Sequence, residues 1–164
     1  MYLIKERFLR LGNDSEITDE DGRTVFDVDG KVLSLRDRLV IKDPEGTPVA
    51  EVRRRLIALR PSYVVMIGSE KAAVVRKRFL RLFRDRYLID VPGPNDLTMK
   101  GSLLDHEFTI RRGGTTVATV SKRWVSIRDT YAVDIADSEN HLLILGVALA
   151  LDLAEEREDK KDDS

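Results

Sequence analysis

Toward the C-terminus, the segment HLLILGVALALDLAEERE carries a run from Leu142 to Leu151 that is apolar at every position except Gly146. A helix with one apolar stripe can rest on a surface, whereas one that is apolar all round needs cover on every side. An apolar span of about 13 residues falls short of the roughly 20 needed to cross a bilayer, and acidic residues follow at once. The run therefore predicts a buried helix over about 140–154, and the rest of the chain must supply its container. The polar residues Asp137, Ser138, Glu139 and Asn140 precede it, and any of them can serve as N-cap. The alternative is a surface helix used for dimerisation, which would expose Leu142, Leu149 and Leu151 in a monomer. The tail EEREDKKDDS, 155–164, is expected to be acidic and disordered.

The container is legible as a repeat. Shifted by 24 residues, RFLRLGNDSEITDEDGRTVFDVDGK falls on KVLSLRDRLVIKDPEGTPVAEVRRR, so that Leu9, Leu11, Ile17, Gly22, Val25 and Val28 align with Leu33, Leu35, Ile41, Gly46, Val49 and Val52. A third copy keeps Ile57, Leu59 and Val65, and a fourth begins FLRLFRDRYLID. After VPGPND the theme returns in SLLDHEFTIRRGGTTVATVSKRW, and WVSIRDTYAVDI resembles a half-unit. Each unit alternates apolar and polar residues around a polar turn such as TDEDG, KDPEG or RRGGT, the pattern of a β-hairpin with one buried face. Successive hairpins make about 11 to 12 strands, more than a strongly twisted open sheet carries without closing or splitting. The expected fold is mostly β, a closed antiparallel barrel around a central hydrophobic helix.

The order of these hairpins, the signal LSLRDRLVI, the segments LLDHEFTI and SKRWVSIRDTYAVDI, and the closing apolar helix together resemble the LURP-one-related family over about residues 1–154. The resemblance implies a tubby C-terminal-like barrel of about 12 strands with a central hydrophobic helix, a fold also similar to that of the phospholipid scramblases. It further implies a link to membranes, because tubby domains bind phosphoinositide headgroups through basic side chains and scramblases act on phospholipids.

Charge is segregated along the chain. Residues 1–50 hold 8 basic and 11 acidic residues, 51–130 hold 17 and 8, and 131–164 hold 3 and 10. The basic middle is repetitive: Arg53, Arg54 and Arg55, then Arg76, Lys77 and Arg78, then Lys122 and Arg123, each group following a strand's apolar run. Clustered guanidinium groups hold phosphate bidentately, and antiparallel packing can bring several groups to one rim. Against this, charged residues beside turns are ordinarily solvated and protect strand edges, and the flanking acids can neutralise the segment. By strict alternation Arg54 shares the inward face with Val52. The equivalent place in the first unit is Gly30, so a bend or bulge is expected to interrupt the strand there.

No catalytic set emerges. There is no Cys, which removes thiol nucleophiles, thiolate metal sites and disulfides and is compatible with a reducing cytosol. His106 lies between Asp105 and Glu107, but strand neighbours point to opposite faces, and Ser102 is out of reach if the segment is extended, so a structural role is expected. His141 opens the helix and reads as packing or capping. TDEDG and DSEN lack the register of a calcium loop, the glycines of RRGGTT and VPGPN lack a phosphate-loop context, and Trp124 is expected in the core. The start MYLIKERFLRLG lacks the apolar stretch of a signal peptide. The expectation is a cytoplasmic, non-enzymatic binding module, peripheral to membranes, without cofactor, metal or nucleic acid. It docks on anionic phospholipid headgroups or phosphorylated partners. The alternative is a protein scaffold with no lipid role.

Overall fold

A computed structural model of the chain describes residues 1–5, 14–31, 38–57, 60–77, 87–93 and 95–162. The strands are β1 (Tyr2–Lys5), β2 (Ser15–Asp19), β3 (Thr24–Lys31), β4 (Arg38–Lys42), β5 (Pro48–Ile57), β6 (Arg60–Ile67), β7 (Glu70–Lys77), β8 (Tyr87–Asp90), β9 (Leu97–Ser102), β10 (Glu107–Arg112), β11 (Thr115–Ser121) and β12 (Thr130–Ile135). One helix, α1 (His141–Asp162), follows. Each strand pairs antiparallel with its sequence neighbours, and β1 closes on β12, so the twelve strands form an up-and-down barrel with no open edge.

The repeat is visible in the backbone. Ile17, Ile41 and Val65 are fully buried at matching places, and a register shift follows each, at Ile17/Thr18, Ile41/Lys42 and Val65/Met66. Such bulges raise the local twist that a closing sheet requires. The first two turns are also built alike. The Asp19 carboxylate accepts the N–H groups of Asp21 and Arg23 at 2.9 Å, and Asp43 accepts those of Glu45 at 3.1 Å and Thr47 at 2.8 Å. The acids of TDEDG and KDPEG are thus spent on their own turns. Leu9, Leu11, Leu33, Leu35 and Leu59 of the repeat lie outside the described residues.

The helix fills the barrel. The eight consecutive residues 144–151, Gly146 among them, are all buried, which only a helix enclosed on every side can achieve. Leu149 and Leu151 are therefore not available as a dimer face, and Leu142 is partly buried. α1 runs nearest β5, β6 and β7. The approach to β6 is so close that a Cβ on Gly146 would stand 2.6 Å from Val65 Cγ1, so glycine is what lets helix and wall touch. Asn140 is the N-cap, its Oδ1 accepting the Leu143 N–H at 3.1 Å. The helix continues to Asp162, beyond the expected end at 154 and through most of the segment expected to be disordered. Residues 155–162 contain no Gly or Pro and consist largely of good helix formers, so nothing in them ends the helix. Among the described residues no helix is long and apolar enough to cross a membrane.

Because neighbours alternate in direction, the barrel has two distinct ends. The turns between β2 and β3, β4 and β5, β6 and β7, and β10 and β11 lie at the lower end, where α1 begins. The connections between β9 and β10 and between β11 and β12 lie at the upper end, toward which α1 runs.

Candidate functional site

The upper end collects the basic groups singled out in the sequence. β5, β7 and β11 all run upward, so Arg53–Arg55, Arg76 with Lys77, and Lys122 with Arg123 arrive at one rim. Arg78 lies outside the described residues. The expected interruption at the arginine triplet does not occur. β5 keeps continuous register with β6 from Ala50↔Ile67 to Ile57↔Arg60, and the bulge in its other pairing sits at Ile41/Lys42. The pleat therefore carries Arg54 onto the inner face beside Tyr63, while Arg53 and Arg55 point outward. Arg54 is half-buried, and its Nε is out of contact with solvent and has no hydrogen-bond partner.

Several of these charges are balanced in place. Glu51 receives Arg53 and Arg38 together, with Nη2 to Oε2 distances of 2.8 and 3.1 Å. Partial burial alone would raise the Glu51 carboxyl, but hydrogen bonds and charge from the two guanidinium groups outweigh it and hold the pKa at about 2. Arg76 pairs with Asp90 at 2.7 Å, and Arg123 Nε lies 3.7 Å from Glu107. Arg55 has no acidic partner among the described residues and is exposed. Cross-strand register sets it opposite Ser62, which in turn faces Arg76, so the three share one outward row across β5, β6 and β7. Ser62 is buried, and its Oγ has no hydrogen-bond partner.

The opposite side of the same rim is built from the β9–β10 turn and the β11–β12 connection. Trp124, expected in the core, is 52% exposed, because the chain leaves β11 at Ser121 and turns before β12 starts at Thr130. Glu107 holds the base of that connection, accepting Ser121 Oγ at 2.9 Å and the N–H groups of Lys122 at 3.0 Å and Arg123 at 3.1 Å.

His106 serves the fold. It sits in a turn with φ of 50°, a left-handed conformation uncommon outside glycine, and its Nε2 lies 2.7 Å from Asp152 Oδ1 on α1. Tyr131 donates to the other Asp152 oxygen at 3.2 Å, and its ring lies 4.5 Å from the imidazole. Ser102 ends β9 and residues 103–106 turn instead of staying extended, and the Ser102 hydroxyl donates to Asp105 at 2.6 Å instead of meeting His106. The turn depends on Gly101, where a Cβ would come within 2.5 Å of the Glu107 carbonyl oxygen. His141 lies at the lower end, its Nδ1 2.8 Å from the Tyr2 hydroxyl.

Comparison with known proteins agrees with this architecture. A sequence model of the family described as LURP-one-related matches residues 1–152. The chain belongs to the LURP-one-related family. It is 29% identical over 150 residues to the protein YxjI of Bacillus subtilis (strain 168), covering 92% of this chain and 90% of that one. It is 23% identical over 173 residues to LURP-one-related 15 of Arabidopsis thaliana, covering 93% of this chain and 78% of that protein. An X-ray structure of an Arabidopsis thaliana protein superposes with a TM-score of 0.67 at 20% identity, over 94% of this chain and 90% of the other, a likeness of fold.

Proposed function

We propose that this LURP-one-related domain is a non-enzymatic, cytoplasmic binding module that docks peripherally on anionic phospholipid with the upper end of its barrel. The observation that carries the reading is the row Arg55, Ser62 and Arg76: an exposed guanidinium with no acidic partner among the described residues and a buried hydroxyl without a hydrogen-bond partner stand beside a second arginine. A buried polar group left unsatisfied calls for an explanation, and a phosphate oxygen between two arginines supplies one. The tubby-like fold that the family resemblance implies supports the same class of ligand.

Co-sedimentation with vesicles of phosphatidylglycerol in phosphatidylcholine tests this. Binding is expected at low salt, weakening as salt rises, and absent from phosphatidylcholine alone. Replacing both Arg55 and Arg76 with Gln is expected to weaken it about ten- to thirtyfold, at about 1 kcal/mol for each basic group near the surface. Three acid-balanced arginines, Arg53, Arg76 and Arg123, favour a second reading, a scaffold that meets a protein partner. Absence of vesicle binding, with a stoichiometric protein recovered that tolerates these replacements, would establish that reading instead.

A further inference from the structure

The described residues expose four large apolar side chains, and three of them, Leu104 at 54%, Trp124 at 52% and Ile127 at 56%, lie at the upper end. They come from neighbouring connections, since β10 and β11 are adjacent strands. Exposed arginines flank two of them in sequence: Arg123 precedes Trp124 and Arg128 follows Ile127, lying 3.7 Å from Glu107 and 3.9 Å from Asp129, and Asp105 and Asp129 are the acids of these two connections. The segment KRWVSIRD is thus net positive as well as apolar at its tip.

We infer that residues 122–129 enter the lipid interface when the domain docks, with Trp124 and Ile127 below the headgroups and Lys122, Arg123 and Arg128 at phosphate level. The inference rests on the docking reading above and deepens it by naming the segment that inserts. Tryptophan has an apolar body with one N–H donor, the combination that favours the boundary between headgroup and acyl chain. Basic flanks complement an anionic surface, which an apolar protein groove would not need. The segment is also prepared for contact. Glu107 fixes the N–H groups of Lys122 and Arg123, the Val125 N–H closes a turn on the Lys122 carbonyl at 3.2 Å, and Asp129 holds a φ of 56° before β12. A preformed tip loses less conformational entropy on binding than a loose loop.

Trp124 is the chain's single tryptophan, so its fluorescence reports this position alone. The intact protein is mixed with phosphatidylglycerol vesicles, and each sample is read for co-sedimentation and for Trp emission. Insertion gives a shift to shorter wavelength and quenching by brominated acyl chains, in proportion to the bound fraction. Trp124→Ser with Ile127→Ser should lower vesicle affinity at least about tenfold, the size expected on withdrawing apolar side chains from an interface. Its circular dichroism should be unchanged, because both side chains are outside the core. Co-sedimentation with unshifted, unquenched emission overturns the insertion and leaves docking intact. Absence of co-sedimentation overturns both.

Discussion

The two ends of the barrel differ in how they use polar groups. At the lower end most of those described are consumed by the fold: Asp19 and Asp43 close their own turns, and Arg112 joins Glu139 at 2.9 Å and the Asn95 carbonyl at 2.9 Å, although Arg111 keeps a buried Nε without a partner. At the upper end Arg54 likewise keeps a buried Nε without a partner, Arg55 has no acidic partner among the described residues, and Leu104, Trp124 and Ile127 face solvent. An up-and-down meander makes this division possible, because every second connection lies at the same end. One set can be minimal and largely satisfied within itself while the other is free to present apolar side chains. Yet both ends also hold the helix, the lower through Tyr2 and His141, the upper through Asp152 with His106 and Tyr131.

The upper anchor is the more buried, and breaking it should produce the largest effect. Asp152→Ala removes the acceptor shared by His106 and Tyr131, both almost wholly buried, and should cost about 2–4 kcal/mol. Urea denaturation gives the value, and a loss under about 1 kcal/mol would show that the upper end is as loosely tied as its exposed rim suggests. The next effect has the opposite sign. Arg54→Leu removes a desolvated donor from the inner wall, so stability should rise by about 1–2 kcal/mol. A fall in stability would mean that the arginine is part of the fold, and that the upper end resembles the lower in spending its polar groups internally.

The repeat made most of the fold legible in the sequence. Ile17, Ile41 and Val65 follow the 24-residue shift into the structure, and the apolar run around Gly146 is the core helix expected, not the surface dimerisation helix that was its alternative. Alternation also placed Arg54 inward. The expected bulge was wrong because β5 tolerates a half-buried arginine at the end of the barrel, where the guanidinium can reach toward solvent. The pairing of His106 with Asp152 was not legible, since the two are 46 residues apart and meet only once the helix is inside the barrel. Trp124 was misplaced because the repeat's apolar period was carried past the last residue of β11, into a connection where the period has no structural meaning. The sharing of Glu51 by Arg38 and Arg53, which neutralises part of the basic segment, likewise depends on cross-strand register.

The smallest effect belongs to the lower anchor and completes the comparison. Tyr2→Phe removes the hydroxyl that lies 2.8 Å from His141 Nδ1 but keeps the edge-on ring contact, whose centroids are 5.6 Å apart. The loss should therefore be that of one partly solvated hydrogen bond, about 0.5–1.5 kcal/mol. His141 and Asp152 are eleven positions apart on α1, about 16 Å along its axis. At that separation the Tyr2→Phe and Asp152→Ala losses should add to within about 0.5 kcal/mol in the double variant. A larger departure would mean that the helix transmits strain from one rim to the other, and the two ends would then be parts of one device despite their different chemistry.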